Sequence, residues 1–296
     1  MKLSFVLVTY KRGELLQRCL DSITSQEGLP FPCEIVLIDN GGDAPVQAYT
    51  DDRFTLRVER SGGNLGAAGG RNFAMQLATG EYFIGLDDDA LFTTPHDAAN
   101  ALAVLESDPQ IGALAFHSRD EHGQPIRMEY PHPDKAFIAA QTAQTPVPHF
   151  FGVGHALRAE VIRKVGGYPE RLFYLAEELD LALRIIDAGY RIMYLPTVTV
   201  THFHAQAGRA ATGDKYWRVS ALNKSRVAFR LLPFPYPLTT LVVWSAAALI
   251  KTRRPAVPLA VWRDLWRERA TLRAERRPIH PETVRYLRSI GARLWY

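Results

Sequence analysis

The sequence predicts an α/β fold, a mostly parallel sheet flanked by helices, with a helical extension at its C-terminal end. Three observations carry this. Short apolar runs alternate with helically spaced ones through the first hundred residues, the pattern of strand, helix and strand in a parallel sheet. Three of those strand-like runs end on polar residues, Thr9, Asp39 and Asp87, and ligands of such sheets bind beyond the carboxyl ends of strands. From Asp214 onward no such alternation continues; the chain turns helical, arginine-rich and broken by prolines.

Taken in order, Leu3 to Val8 reads as a first buried strand, and Glu14 to Ile23 as a helix with Leu15, Leu16, Cys19, Leu20 and Ile23 on one face. Glu34 to Ile38 is a second strand, stopped by the turn signal Asp39-Asn40-Gly41-Gly42, and Phe54 to Val58 a weaker third. Asn64 to Ala78 opens glycine-rich and ends helical, and Tyr82 to Leu86 is a fourth strand. Asp97 to Leu105 is a predicted helix and Ile111 to Phe116 a strand. His117 to Val147 shows no periodicity and is expected to be a mobile loop region. Extended chain comes next at Phe150 to Gly154, then helices over Arg158 to Val165 and Glu177 to Ala188, and strands at Arg191 to Leu195 and Val198 to His202.

Composition narrows the class. In 296 residues, 47% hydrophobic and 22% charged content exclude wholesale disorder. The net charge of +4 is uneven, with nine Lys and Arg between Lys251 and Arg277 against few acids. Cys19 and Cys33 suggest neither a disulfide framework nor a zinc site, so a reducing compartment is expected. The first apolar run is too short for a signal peptide, which points to a cytoplasmic location.

The chemistry concentrates at EYFIGLDDDALFTTP, residues 81 to 95. A buried strand that ends in Asp87, Asp88 and Asp89 needs positive charge to offset three carboxylates, and a divalent cation does so most simply. In extended chain Asp87 and Asp89 face one ion while Asp88 turns aside, an oxygen set suited to Mg²⁺ or Mn²⁺ carrying a phosphate. An acidic surface turn is the alternative. Thr9 and Asp39 either cap the helices after their strands or contact a nucleotide base. The NLGAAGGRN segment, Asn64 to Asn72, either lets backbone and Arg71 approach a phosphate or packs a helix tightly on the sheet; its spacing is neither a P-loop nor GxGxxG.

On the helix from Glu177, about 100° per residue places Asp180, Arg184 and Asp187 on the polar side with Glu177 beside Arg184. Glu178 falls inside the apolar arc, near Ala182 and Ile185, where partial burial favours a general base and the helix dipole opposes it. His202, with His204 two residues on, ends a strand and either completes a metal site or is a structural histidine.

These pieces, in this order, resemble inverting glycosyltransferases of family 2, of the GT-A fold, in particular bacterial rhamnosyltransferase-like members. The matching segments are VLVTYKR, IDNGG, NLGAAGGRN, LDDDALFTTP, the stretch from GVGHALR to ELDLALRI, and AGYRIMYLPTVTVTHFH, together spanning about residues 2 to 232. The resemblance implies a GT-A unit over 1–210, with a nucleotide half (1–95) and an acceptor half (96–210), and a basic helical extension over 211–296. It implies nucleotide contacts from Thr9, Tyr10, Arg12, Asp39, Asn64, Arg71 and Asp88. It implies Mg²⁺ or Mn²⁺ on Asp87, Asp89 and His202, the histidine six residues after Pro196. It implies Glu178 as the base, with Glu177 the runner-up because the family usually carries Asp there. His155 stands where the family commonly has an apolar residue, which suggests variation on the acceptor side. The donor implied is a nucleoside-diphosphate sugar, UDP or dTDP favoured, and the acceptor a glycan or lipid-linked hydroxyl.

Leu238 to Ile250 is a largely apolar run of 13 residues, short of the roughly 20 that span a bilayer. With Trp244 inside it and Lys251, Arg253 and Arg254 after it, peripheral attachment to the inner face of the cell membrane is expected; the alternative is a packed core or a homo-dimer helix. The basic tail matches no nucleic-acid-binding module, so nucleic acid is not an expected partner. Two other functions compete. A sugar-nucleotide nucleotidyltransferase calls for a glycine-rich basic loop after the first strand, where VLVTYKRGE has one glycine. A non-catalytic nucleotide-sugar-binding protein has no need of both the acid triplet and Glu178.

Overall fold

Why β1 (Leu3–Thr9) and β2 (Cys33–Asp39) are almost wholly apolar is explained by their place in the middle of a sheet covered on both faces. The computed structural model describes residues 1–42, 44–204 and 211–294. Between those strands runs α1 (Gly13–Thr24), and β3 (Tyr49–Thr50) and β4 (Phe54–Arg60) come after β2. Next are α2 (Gly66–Leu77), β5 (Tyr82–Asp87), the short β6 (Ala90–Phe92), α3 (Asp97–Ser107) and β7 (Ile111–Arg119). The second half adds α4 (Lys135–Ala139), β8 (Thr145–Pro146), β9 (Gly154–Arg158), α5 (Ala159–Val165), α6 (Glu177–Asp187) and β10 (Arg191–His202). The extension is five helices, α7 (Gly213–Leu231), α8 (Tyr236–Thr252), α9 (Ala256–Arg267), α10 (Arg269–Ala274) and α11 (Pro281–Ser289).

The sheet runs β3-β4-β2-β1-β5-β9-β7-β10-β6, with β8 beside β10. Strands β4, β2, β1 and β5 are parallel; β9 enters antiparallel between β5 and β7 and joins the two halves. One face packs on α1 and α3 through Phe5, Leu16 and Leu102, the other on α2, α5 and α6 through Val36, Ala74 and Leu181. Val227, Leu231 and Leu287 of the extension share that second core, while Leu222, Val261 and Leu265 form a smaller one of their own.

Several expected boundaries move. The stretch 117–147 is no free loop: β7 continues to Arg119, a 3₁₀ turn covers Arg127–Glu129, and α4 and β8 lie beyond it. Elements of two to five residues leave no periodicity to read. Extended chain at 154–158 is β9, so the helix begins at Ala159 and not Arg158. Pro196 does not split β10, because a bulge between Leu195 and Thr199 carries the strand past it. The glycines of α2 pack closely: a Cβ on Gly66 would stand 2.3 Å from the Phe173 carbonyl oxygen, and one on Gly70 2.6 Å from Val8.

The largest departure concerns α6. Its expected polar side is covered by the extension at Asp180 and Asp187, Glu177 is buried beside Arg71, and Glu178 is half-buried. Asp180 accepts from Arg184 Nε at 2.8 Å and from Arg230 of α7, and Asp187 accepts from His280 N at 2.7 Å and Thr283 Oγ1 at 2.6 Å. Periodicity finds the apolar face of a helix, but here both faces are interfaces, one apolar and one ionic.

Candidate active site

The strand ends are level in space. Thr9 pairs with Asp39 across β1 and β2, and Val8 with Asp87 across β1 and β5. Above them opens a cavity of about 1110 Å³, larger than the usual single-ligand pocket and roomy enough for two substrates. Its wall includes Thr9, Tyr10, Arg12, Asn64 and Arg71, the three aspartates, both glutamates and His202. Asp39 is not part of that wall: its carboxylate is buried and accepts from the backbone N–H groups of Gly41, Gly42 and Ala44 at 3.0, 2.7 and 3.1 Å. Its neighbour Asn40 lines the cavity instead. Asn64 is present but shaped into a turn, its Oδ1 accepting from Gly66 N at 2.8 Å.

A turn, not an extended run, separates the aspartates, since β5 ends at Asp87 and β6 begins at Ala90. Asp88 points inward and accepts from Thr9 Oγ1 at 2.7 Å and Arg12 at 2.6 Å, and from Tyr10 N at 3.3 Å. Burial pushes Asp88 up to about 6, against the pull of Arg12 and Thr9. Thr9, Arg12 and Asp88, all expected to contact nucleotide, thus hold one another. Asp87, Asp89 and His202 do converge, their ligand atoms lying within 4.8 Å of one another. A second such group joins Glu129, His202 and His204, and Glu129 carried no sequence signal, lying in the stretch without periodicity.

Two carboxylates and an imidazole form a donor set that fits Mn²⁺, with Mg²⁺, which prefers all-oxygen shells, a poorer match. His202 Nδ1 lies 2.7 Å from Glu129 and Nε2 3.4 Å from Asp89. Burial opposes its charge, but the hydrogen bonds to Asp89 and Glu129 raise it to about 10. Without an ion the imidazolium therefore balances the acids; as a metal ligand it would be neutral, so binding there would release its proton.

Arg71 connects the two ends of the site. One guanidinium nitrogen reaches Asp87 at 2.7 Å, and the other Glu178 at 3.0 Å and Glu177 at 3.5 Å. Burial works against its charge, yet Asp87 and Glu178 raise it above the usual guanidinium range. Beneath it lies the Tyr168 ring, centroid at 5.5 Å, whose hydroxyl meets His155 Nε2 at 3.0 Å. His155 is thus a support under the site and does not stand on an acceptor side; burial, with Arg71, holds it down to about 3 and neutral. Gly152 leaves room for this arrangement, since a Cβ there would lie 1.9 Å from Arg71 Nη2 and 2.6 Å from Glu178 Oε1.

Both glutamates face this cavity, and they differ in burial. Glu177 is 2% exposed, and burial, aided by the Glu178 carboxylate, pushes it well above the ordinary carboxylate range. The segment delivering them is strained: Phe173, Leu175 and Ala176 have φ of 61°, 72° and 70°, each costing on the order of 1–2 kcal/mol. Asn223 of α7 holds it, Nδ2 donating to the carbonyls of Leu172, Tyr174 and Leu175 at 2.9, 2.9 and 3.0 Å.

Known proteins resemble this chain in sequence and in fold. The chain is 28% identical over 263 residues to N-acetylglucosaminyl-diphospho-decaprenol L-rhamnosyltransferase of Mycobacterium tuberculosis, covering 77% of this chain and 83% of that one. It is 26% identical over 219 residues to the O-antigen chain rhamnosyltransferase RfbN of Salmonella typhimurium, covering 69% and 67%. The mannosyltransferase PcManGT of Pyrobaculum calidifontis, solved with GDP-Man and Mn²⁺, shares the fold with a TM-score of 0.59 at 21% identity, over 97% of this chain and 79% of that one. The Glycosyl transferase family 2 model matches residues 4–166, more than half of the chain and all three aspartates. The chain belongs to glycosyl transferase family 2, on a GT-A fold.

Proposed function

We propose that this chain moves a sugar from a nucleoside-diphosphate donor, UDP or dTDP favoured, to a hydroxyl of a glycan or lipid-linked acceptor, with inversion at the anomeric carbon. The observation that supports this best is that the Asp87–Asp89–His202 cluster and the glutamate pair line one cavity, joined by Arg71. Asp87, Asp89 and His202 would hold the divalent ion, which neutralises charge on the departing diphosphate. Glu178 is the base. Of the two glutamates it keeps solvent contact, whereas burial raises Glu177 well above the ordinary carboxylate range. As the acceptor oxygen attacks, its proton passes to Glu178, the bond from anomeric carbon to diphosphate oxygen breaks, and the electron pair leaves with the diphosphate. Arg71 positions Glu178 through their 3.0 Å ion pair.

A peripheral membrane setting draws support from the extension. On α8 the small or polar Thr240, Ser245 and Ala248 face inward while Leu238, Val242 and Ile250 are exposed, and α9 exposes Leu259, Trp262 and Trp266. Among the described residues no helix is long and apolar enough to cross a membrane. Exposed apolar surface next to Lys251 and Arg253 suits the interface of an anionic bilayer.

Four outcomes test these readings. Glu178→Gln should leave nucleotide binding intact and lower turnover about 10²–10⁴-fold; retained turnover moves the base elsewhere. EDTA should abolish transfer and Mn²⁺ restore it, and indifference to chelation removes the ion from the reaction. Gly152→Ala should displace Arg71 and cut kcat at least tenfold, while Gly63→Ala, with nothing within 4 Å of its added Cβ, leaves it unchanged. Sedimentation with anionic lipid vesicles should carry the protein down at low salt and lose it when Trp262 and Trp266 are both changed to Ser; a protein wholly in the supernatant sinks the membrane reading.

A further inference from the structure

The far wall of the cavity is basic, and nothing in the reaction above uses it. It is built by one face of α7, where Tyr216, Ser220, Lys224 and Ala228 recur every four residues, by Thr240 and Trp244 of α8, and by Lys135 at the start of α4. Lys224 Nζ stands 3.7 Å from the centroid of the Trp244 ring, and Lys135 Nζ donates to the Tyr130 carbonyl at 2.8 Å. Among the described residues neither ammonium pairs with a carboxylate. Burial, then the charge of Lys135, lowers Lys224 to about 8, and burial, then Arg293, lowers Lys135. His149, on the same wall, is held down to about 3 by burial and by both lysines, so it stays neutral while Lys224 remains largely charged at neutral pH.

Gathering like charges in a half-buried wall without acids is costly unless an anion joins them. Two further polar atoms of residues on this wall, Thr240 Oγ1 and Trp244 Nε1, are buried and have no partner among the described residues. Two ammonium groups without a paired acid suit a ligand rich in acceptor oxygens, which describes a phosphate ester. The helix that carries this wall is tied to the catalytic segment: Asn223, next to Lys224, donates to the carbonyls of Tyr174 and Leu175 ahead of Glu177 and Glu178. Outward from the same helix that supplies Thr240 and Trp244, Leu238, Val242 and Ile250 are exposed to receive an apolar chain.

We propose that Lys135 and Lys224 form a second anion subsite that takes the phosphate or diphosphate ester of an acceptor carried on an apolar chain, separate from the place of the donor diphosphate. This rests on the glycosyl-transfer reading for the word acceptor, but the subsite is tested apart from it. Isothermal calorimetry on the full chain with Mn²⁺ would titrate UDP, dTDP and GDP in turn, then farnesyl diphosphate and inorganic pyrophosphate onto the nucleotide-saturated protein. Farnesyl diphosphate should bind without displacing the nucleotide, and more tightly than pyrophosphate. The double substitution Lys135→Gln with Lys224→Gln should weaken it at least tenfold while nucleotide affinity stays within twofold, which also reports that the variant is folded. Competition between farnesyl diphosphate and nucleotide, or unchanged binding to the double variant, overturns the subsite; pyrophosphate binding as tightly as farnesyl diphosphate overturns the apolar chain. Should no nucleotide bind while farnesyl diphosphate binds and is lost in the double variant, the glycosyl-transfer reading fails and the subsite stands.

Discussion

The site depends on a single buried guanidinium shared among three carboxylates. An isolated buried charge costs several kcal/mol, and so does a carboxylate left without its cation, so Arg71 and its partners are stable only together. A planar fork can reach Asp87 through one nitrogen and Glu178 through the other, which a lysine cannot do. The consequence is geometric. The carboxyl end of β5, set by the sheet, and the first turn of α6, ninety residues further on, are fixed relative to each other by side-chain chemistry. Gly152 gives Arg71 room, while Gly70, tight against Val8, seats the helix that carries it; the Tyr168–His155 pair supports the ring of contacts from below.

Seen from α6, the extension is a wall of the site and more than an appendage. Its helix α7 supplies Asn223 to the strained residues ahead of Glu177, Arg230 to Asp180, and Lys224 to the cavity. Three residues with positive φ in a row of four would relax if released. They persist because Asn223 donates to the carbonyls around them, so the position of the glutamates is held from the C-terminal side even though the chemistry belongs to the GT-A sheet.

The sheet was legible because β1, β2 and β5 are apolar runs that stop abruptly on polar residues, and parallel strands buried on both faces have little other choice. The grouping of Asp87, Asp89 and His202 came from the family resemblance and not from the strand pattern, and the three do converge. What escaped was set by contacts distant in sequence. Asp39 looks from sequence like a strand-end ligand, but its own turn takes its oxygens. Glu129 sits in a 3₁₀ turn too short to leave a pattern, and reaches His202 across 73 residues. Periodicity assigned Glu177 to the polar side of α6, yet it is buried beside Arg71, while Glu178 is half-buried; further along that side α7 and α11 cover Asp180 and Asp187 with an ion pair and hydrogen bonds. A hydrophobic pattern records which face meets apolar neighbours; it cannot record a face that meets arginines.

Charge on the wall of the cavity is mixed. Asp87, Asp89 and Glu129 contribute acids, while Lys135 and Lys224 contribute ammonium groups that no carboxylate of the described residues pairs with. In a cavity such charges interact more strongly than in water, because little solvent screens them. If the two lysines take the phosphate of an acceptor as proposed above, the same wall disfavours the reversed orientation, which would set that phosphate against the aspartates.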